Sequence, residues 1–235
     1  MSNLVLDSIA VDCPDPVALS TFYADLLAVE NRGDFFYLPG GLVEIWFQQV
    51  GDYQPPTWPS QERGQQVHFD ITVPDVGAAV KAAMNLGATL TERRADYHYP
   101  ILLDPVGHPF CLVAGAENSE PHLSALSFDC NDAKAMATFY RELIGGETES
   151  WLGWTNLLRP GEPTLSFQNV EGYQPPTWPT QERGQQIHID FHTDEREEWV
   201  QKATTYGAHL MHIETSFTVM VDPDGHPFCI CDSRE

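Results

Sequence analysis

The segment Tyr53 to Asp70, Tyr-Gln-Pro-Pro-Thr-Trp-Pro-Ser-Gln-Glu-Arg-Gly-Gln-Gln-Val-His-Phe-Asp, returns at Tyr173 to Asp190 with changes only at Thr180, Ile187 and Ile189. Further pairs fall at nearly the same offset: Asp12-Cys13 with Asp129-Cys130, Phe22-Tyr23 with Phe139-Tyr140, and Asp104 to Cys111 with Asp222 to Cys229. A period this long is too large for a solenoid repeat and fits a whole small domain written twice. The expected division is residues 1–117 and 118–235.

Each copy reads alike. Leu4 to Val11 has the pattern of a strand, and Asp15-Pro16 then supplies an N-cap and a proline in the first helical turn. Ala18, Phe22 and Leu26 recur at the four-residue spacing of one helical face. Phe35 to Leu38, a Pro39-Gly40-Gly41 turn and Leu42 to Val50 predict a hairpin, followed by a proline-rich loop over 51–64. A strand from Gln66 to Val73, a helix ending at Leu86-Gly87, and strands near 88–93, 98–103 and 109–114 complete the copy. The expected fold class is α+β, with tandem βαβββ modules, four in the chain, forming curved and mostly antiparallel sheets around clefts.

The formal charge of −22 would repel nucleic-acid phosphates and anionic membranes, so neither is an expected partner. No apolar run approaches a membrane span and no export signal is visible, which gives a cytoplasmic expectation. Five cysteines then read as reduced thiols. Phosphate-binding glycine loops, the Gly-x-Ser-x-Gly elbow and the His-Glu-x-x-His helix are absent.

Asp15-Pro16, Phe22-Tyr23, Val67-His68-Phe69-Asp70, Leu86-Gly87-Ala88 and Asp104-Pro105-x-Gly107, with their counterparts in the second copy, form an ordered set covering nearly the whole chain. In this set the sequence resembles the vicinal oxygen chelate superfamily, which includes glyoxalase I, extradiol dioxygenases and fosfomycin and bleomycin resistance proteins, and more narrowly the glyoxalase-like domain proteins. The resemblance implies paired modules around a cavity and, in many members, a divalent metal on a His, Glu, His, Glu set. Those positions carry Ser8, Glu44, His68 and Cys111 in the first copy, and Ala125, Thr164, His188 and Cys229 in the second.

This departure leads to three readings. The first is a protein that binds, and by sequestration gives resistance to, a small natural product without a cofactor, using Trp46, Gln48, Tyr53, Trp58, Gln168, Tyr173 and Trp178 as cleft residues. The second is a lyase, isomerase or dioxygenase with one divalent metal (Zn, Fe, Ni or Mn) on Glu44, His68 and Cys111. The third is a metal-free enzyme with His68 or His188 as catalytic general base. His108 and His226, between the glycine of an Asp-Pro-x-Gly turn and a proline, read as structural. Because two copies can pair within one chain, the expected state is a monomer with an internal pseudo-dimer, or a weak homodimer.

Overall fold

The computed structural model describes residues 4–39, 43–91 and 99–233. The first copy contains β1 (Val5–Cys13), α1 (Pro16–Leu27), β2 (Phe35–Tyr37), β3 (Glu44–Gln49), β4 (Val67–Val73), α2 (Val76–Asn85), β5 (Thr89–Leu90), β6 (Ile101–Leu103) and β7 (Pro109–Ala114). The second contains β8 (His122–Cys130), α3 (Ala133–Ile144), β9 (Glu147–Trp151), β10 (Trp154–Leu158), β11 (Thr164–Asn169), β12 (Ile187–Thr193), α4 (Arg196–Thr205), β13 (His209–Ile213), β14 (Phe217–Val221) and β15 (Pro227–Asp232). Three modules are βαβββ; among the described residues the first has only two strands after its helix. The expected turn at Gly40 and Gly41, and the stretch 92–98 between the expected strands, lie outside the described residues.

Local signals act as the sequence predicts. Asp15 and Asp75 cap α1 and α2 by accepting from the backbone N–H of Ala18 and Ala78 at 3.1 and 2.9 Å. Gly87 and Gly207, both at positive φ, turn the chain after α2 and α4.

The strands assemble into two open mixed sheets, and neither belongs to one copy. Sheet A runs β13-β14-β15-β12-β1-β3-β2, and sheet B runs β5-β6-β7-β4-β8-β11-β10-β9. Each sheet therefore joins the first module of one copy to the second module of the other, through the antiparallel pairs β1–β12 and β4–β8. The parallel pairs are β1–β3, β12–β15, β4–β7 and β8–β11, so antiparallel pairing predominates.

The buried apolar residues of both copies form one cluster, within which the first helix of each copy packs between that copy's two half-sheets. Tyr23 of α1 stacks on Phe47 of sheet A at 5.9 Å and meets Phe69 of sheet B edge-on at 5.3 Å. Tyr140 of α3 stacks on Phe167 of sheet B at 5.3 Å and meets Phe191 of sheet A at a tilt at 6.4 Å. Because side chains alternate along a strand, residues flanking these core positions point to the opposite face of each sheet. His68, Asp70 and Cys111 share that opposite face on sheet B, as do His188, Asp190 and Cys229 on sheet A.

A polar seam holds the copies in register. Gln66 and Gln186 donate through Nε2 to the carbonyls of Gly184 and Gly64 at 2.7 and 3.0 Å. Gln65 and Gln185 donate across the seam to the carboxylates of Asp129 and Asp12. No helix among the described residues is long and apolar enough to cross a membrane.

Candidate functional site

The composite sheets regroup the residues singled out in the sequence. Across sheet A, Glu44 stands opposite Ser8, Ser8 opposite Asp190, and Asp190 opposite Cys229. Across sheet B the matching row is Thr164, Ala125, Asp70 and Cys111. The expected set of Glu44, His68 and Cys111 is thus not formed, because the two modules of a copy fold onto different sheets and Glu44 lies on the other one. His68 and Cys111 do converge, and their third neighbour is Asp70. In sheet A the same trio is His188, Asp190 and Cys229, with ligand atoms of each trio all within 4.8 Å of one another.

The aspartates are held from one side. Asp190 Oδ2 accepts from Ser8 Oγ at 2.7 Å and from Trp46 Nε1 at 3.3 Å, leaving Oδ1 facing His188 Nε2 at 3.5 Å. Asp70 Oδ2 accepts from Ser127 Oγ at 2.6 Å, and Oδ1 faces His68 Nε2 at 3.6 Å. Nδ1 of each imidazole is buried with no hydrogen-bond partner among the described residues.

Burial opposes charge on His68, yet the Asp70 carboxylate and Cys111 together outweigh it and hold the imidazole well above its ordinary pKa. Against the same desolvation, His68 and Ser127 keep Asp70 below the usual carboxylate value. Burial pushes both the Cys111 and the Cys229 thiol up, so neither is a ready thiolate nucleophile by itself.

A cavity of about 370 Å³ opens onto the sheet A trio. Trp46, Trp178, Phe217, Val219 and Pro227 supply its apolar wall, and Gln48, Gln185, His188 and Asp190 its polar groups. Three of the expected cleft residues, Trp46, Gln48 and Trp178, thus meet in one place. Gln168 sits on β11 of sheet B, half-buried and opposite Trp154, and Trp58 is half-buried on the first loop. Tyr53 and Tyr173 do other work: their hydroxyls bond His108 Nε2 and His226 Nε2 at 3.0 and 2.9 Å, pinning each proline-rich loop to the following turn. Those histidines are structural, because Nδ1 of each bonds the buried Asp104 or Asp222 at 2.8 and 2.9 Å.

The two clefts differ where Trp46 stands. Trp46 pairs with Ala10 on β1, and the matching place on β11, opposite Ser127, is Ser166. Asp70 and Asp190 were missed as site residues in the sequence. The signal was the His-x-Asp spacing, which puts both side chains on one face of a strand.

The glyoxalase-like domain profile matches residues 8–113 and again 125–231. The chain belongs to the glyoxalase-like domain family. Glyoxalase I from Zea mays shares the fold with a TM-score of 0.67 at 17% identity, covering 97% of this chain and 92% of that one. A candidate dioxygenase from Bacillus subtilis superposes with a TM-score of 0.64 at 13% identity, covering 100% and 86%. No curated protein matches the sequence.

The metal set that the superfamily resemblance implies does not fit either cleft. Around sheet A its positions hold Ser8, Glu44, His188 and Cys229, and the Ser8 hydroxyl is spent on Asp190. Around sheet B they hold Ala125, Thr164, His68 and Cys111, and alanine has no donor atom.

Proposed function

We propose that the protein binds a small aromatic natural product in the sheet A cleft and sequesters it, so that resistance to that compound would follow from binding alone. The observation that carries this reading is the cavity itself, in which an aromatic and aliphatic wall faces a few convergent polar groups. Trp46 and Trp178 offer flat surfaces to a ring system, and Trp46 is fixed in orientation by its bond to Asp190. The −22 charge of the chain favours a cationic substituent on the ligand. One chain suffices, since β1 and β3 of the first copy and β12, β14 and β15 of the second complete the cleft together, and sedimentation at rising concentration is expected to give a monomer.

A panel of cationic aromatic natural products followed by tryptophan fluorescence and thermal shift tests the reading. Trp46→Ala and Trp178→Ala are each expected to weaken the best binder about tenfold or more, as loss of a buried aromatic anchor does. A binder with unchanged affinity for both variants would move the site elsewhere, and a panel with no binder would remove the reading.

A further inference from the structure

We propose that each cleft holds one zinc-class transition metal ion, on His188, Asp190 and Cys229 in sheet A and on His68, Asp70 and Cys111 in sheet B. These are not the four positions implied by the superfamily: the aspartates lie two residues beyond the histidines on the same strands and supply the oxygen donor in both clefts.

Distance is the first argument. The His Nε2 to Asp Oδ1 separations of 3.5 and 3.6 Å exceed an ordinary hydrogen bond. Two ligands about 2.1 Å from a tetrahedral ion stand about 3.4 Å apart, so the observed spacing is that of two corners of one coordination sphere. The cysteine sulfur completes a face, all atoms lying within 4.8 Å of one another.

The second argument is the way each carboxylate is held. One oxygen is tied back by a serine hydroxyl and the other is left aimed at the imidazole, the outer-shell arrangement that orients a metal-binding carboxylate. The two clefts reach it differently. Ser8 lies opposite Asp190, and the same place in sheet B is Ala125; Ser127 lies opposite His68, and the same place in sheet A is Ala10. Two different serines thus anchor the same aspartate in the same pose.

Donor chemistry selects the ion. One nitrogen, one carboxylate oxygen and one thiolate suit zinc and its neighbours, whereas a thiolate disfavours magnesium and calcium. Thiolate and carboxylate together balance a dication. Three protein donors leave a coordination position free, which in sheet A adjoins the cavity.

The inference does not rest on the small-molecule reading, because the trio recurs in sheet B and its test needs no organic ligand. Chelator-treated full-length protein is titrated with Zn(II) by calorimetry and with Co(II) by absorption, far-ultraviolet circular dichroism confirming the fold of every variant. Expected are two equivalents per chain, with a thiolate-to-cobalt charge-transfer band. Cys111→Ser and Cys229→Ser should each remove one equivalent and half of that band, while Cys13→Ala and Cys130→Ala retain both. Ser8→Ala should weaken one site, and Ser127→Ala the other, by about 10- to 100-fold, which also guards against variants that fail to fold. Absence of binding, binding without the charge-transfer band, or two equivalents retained in both cysteine-to-serine variants would overturn the proposal.

Discussion

Asp12 and Asp129 sit at the seam between the copies, each about 2% exposed, and each accepts a hydrogen bond from a glutamine of the other copy. Burial raises both carboxyls from 3.8 to about 6, against the opposing pull of His188 on Asp12 and of His68 on Asp129. A folded-state pKa above the unfolded one means that the native protein holds the proton more tightly. The stability linked to each group is therefore fully present below about 3.8 and lost as pH rises through about 6. A shift of about 2 units corresponds to about 3 kcal/mol of native-state cost per aspartate at pH 8, roughly half of it remaining at pH 5.

Asn at either place keeps an oxygen for the glutamine donor and cannot ionise. Allowing about 1 kcal/mol for an amide N–H left without an acceptor, Asp12→Asn and Asp129→Asn should each stabilise the chelator-treated protein by about 2 kcal/mol at pH 8. The gain should shrink steadily on acidification and reverse near pH 4. Urea unfolding at pH 8, 6 and 4.5, followed by tryptophan fluorescence, measures the difference between variant and parent, in which the titration of all other groups cancels to first order. Variants no more stable than the parent at pH 8, or a difference independent of pH, would show that these carboxylates are not destabilised by burial.

Other outcomes follow from the same geometry. Asp104 accepts from the backbone N–H of Val106 and His108, from Tyr23 Oη and from His108 Nδ1, so Asp104→Ala should cost about 3–5 kcal/mol in urea unfolding, and Tyr23→Phe only about 1 kcal/mol. Residues 1–117 alone would expose β1 and β4, whose partners are β12 and β8, and should be recovered as a homodimer in which β1 of one chain pairs with β4 of the other; a stable monomer in sedimentation would contradict this. Trp46→Phe removes the indole donor to Asp190 but keeps an aromatic wall, so ligand affinity should fall less than in Trp46→Ala.

What the sequence made legible was local or periodic. Asp15 before Pro16 and the glycines ending α2 and α4 act within a few residues, and their structures match; of the expected α1 stripe Phe22 and Leu26 are buried, while Ala18, in the first turn, is exposed. The repeat announced two similar halves, and Tyr23 and Tyr140 take matching places in them. Strand partners are another matter, because pairing is set by long-range contacts that a single strand's pattern does not record. Val5 to Cys13 reads as buried beside either β4 or β12, and only assembly puts β12 there. That choice decides the site: it takes Glu44 away from His68, brings Ser8 to Asp190, and sets Trp46 over the second copy's trio rather than the first's. The two clefts of a duplicated chain can therefore share a His, Asp and Cys trio while differing at the place of Trp46, where the other cleft has Ser166, since that strand comes from the copy that does not supply the trio. Each cleft is therefore a joint product of the two copies, the trio coming from one and the serine that anchors its aspartate from the other.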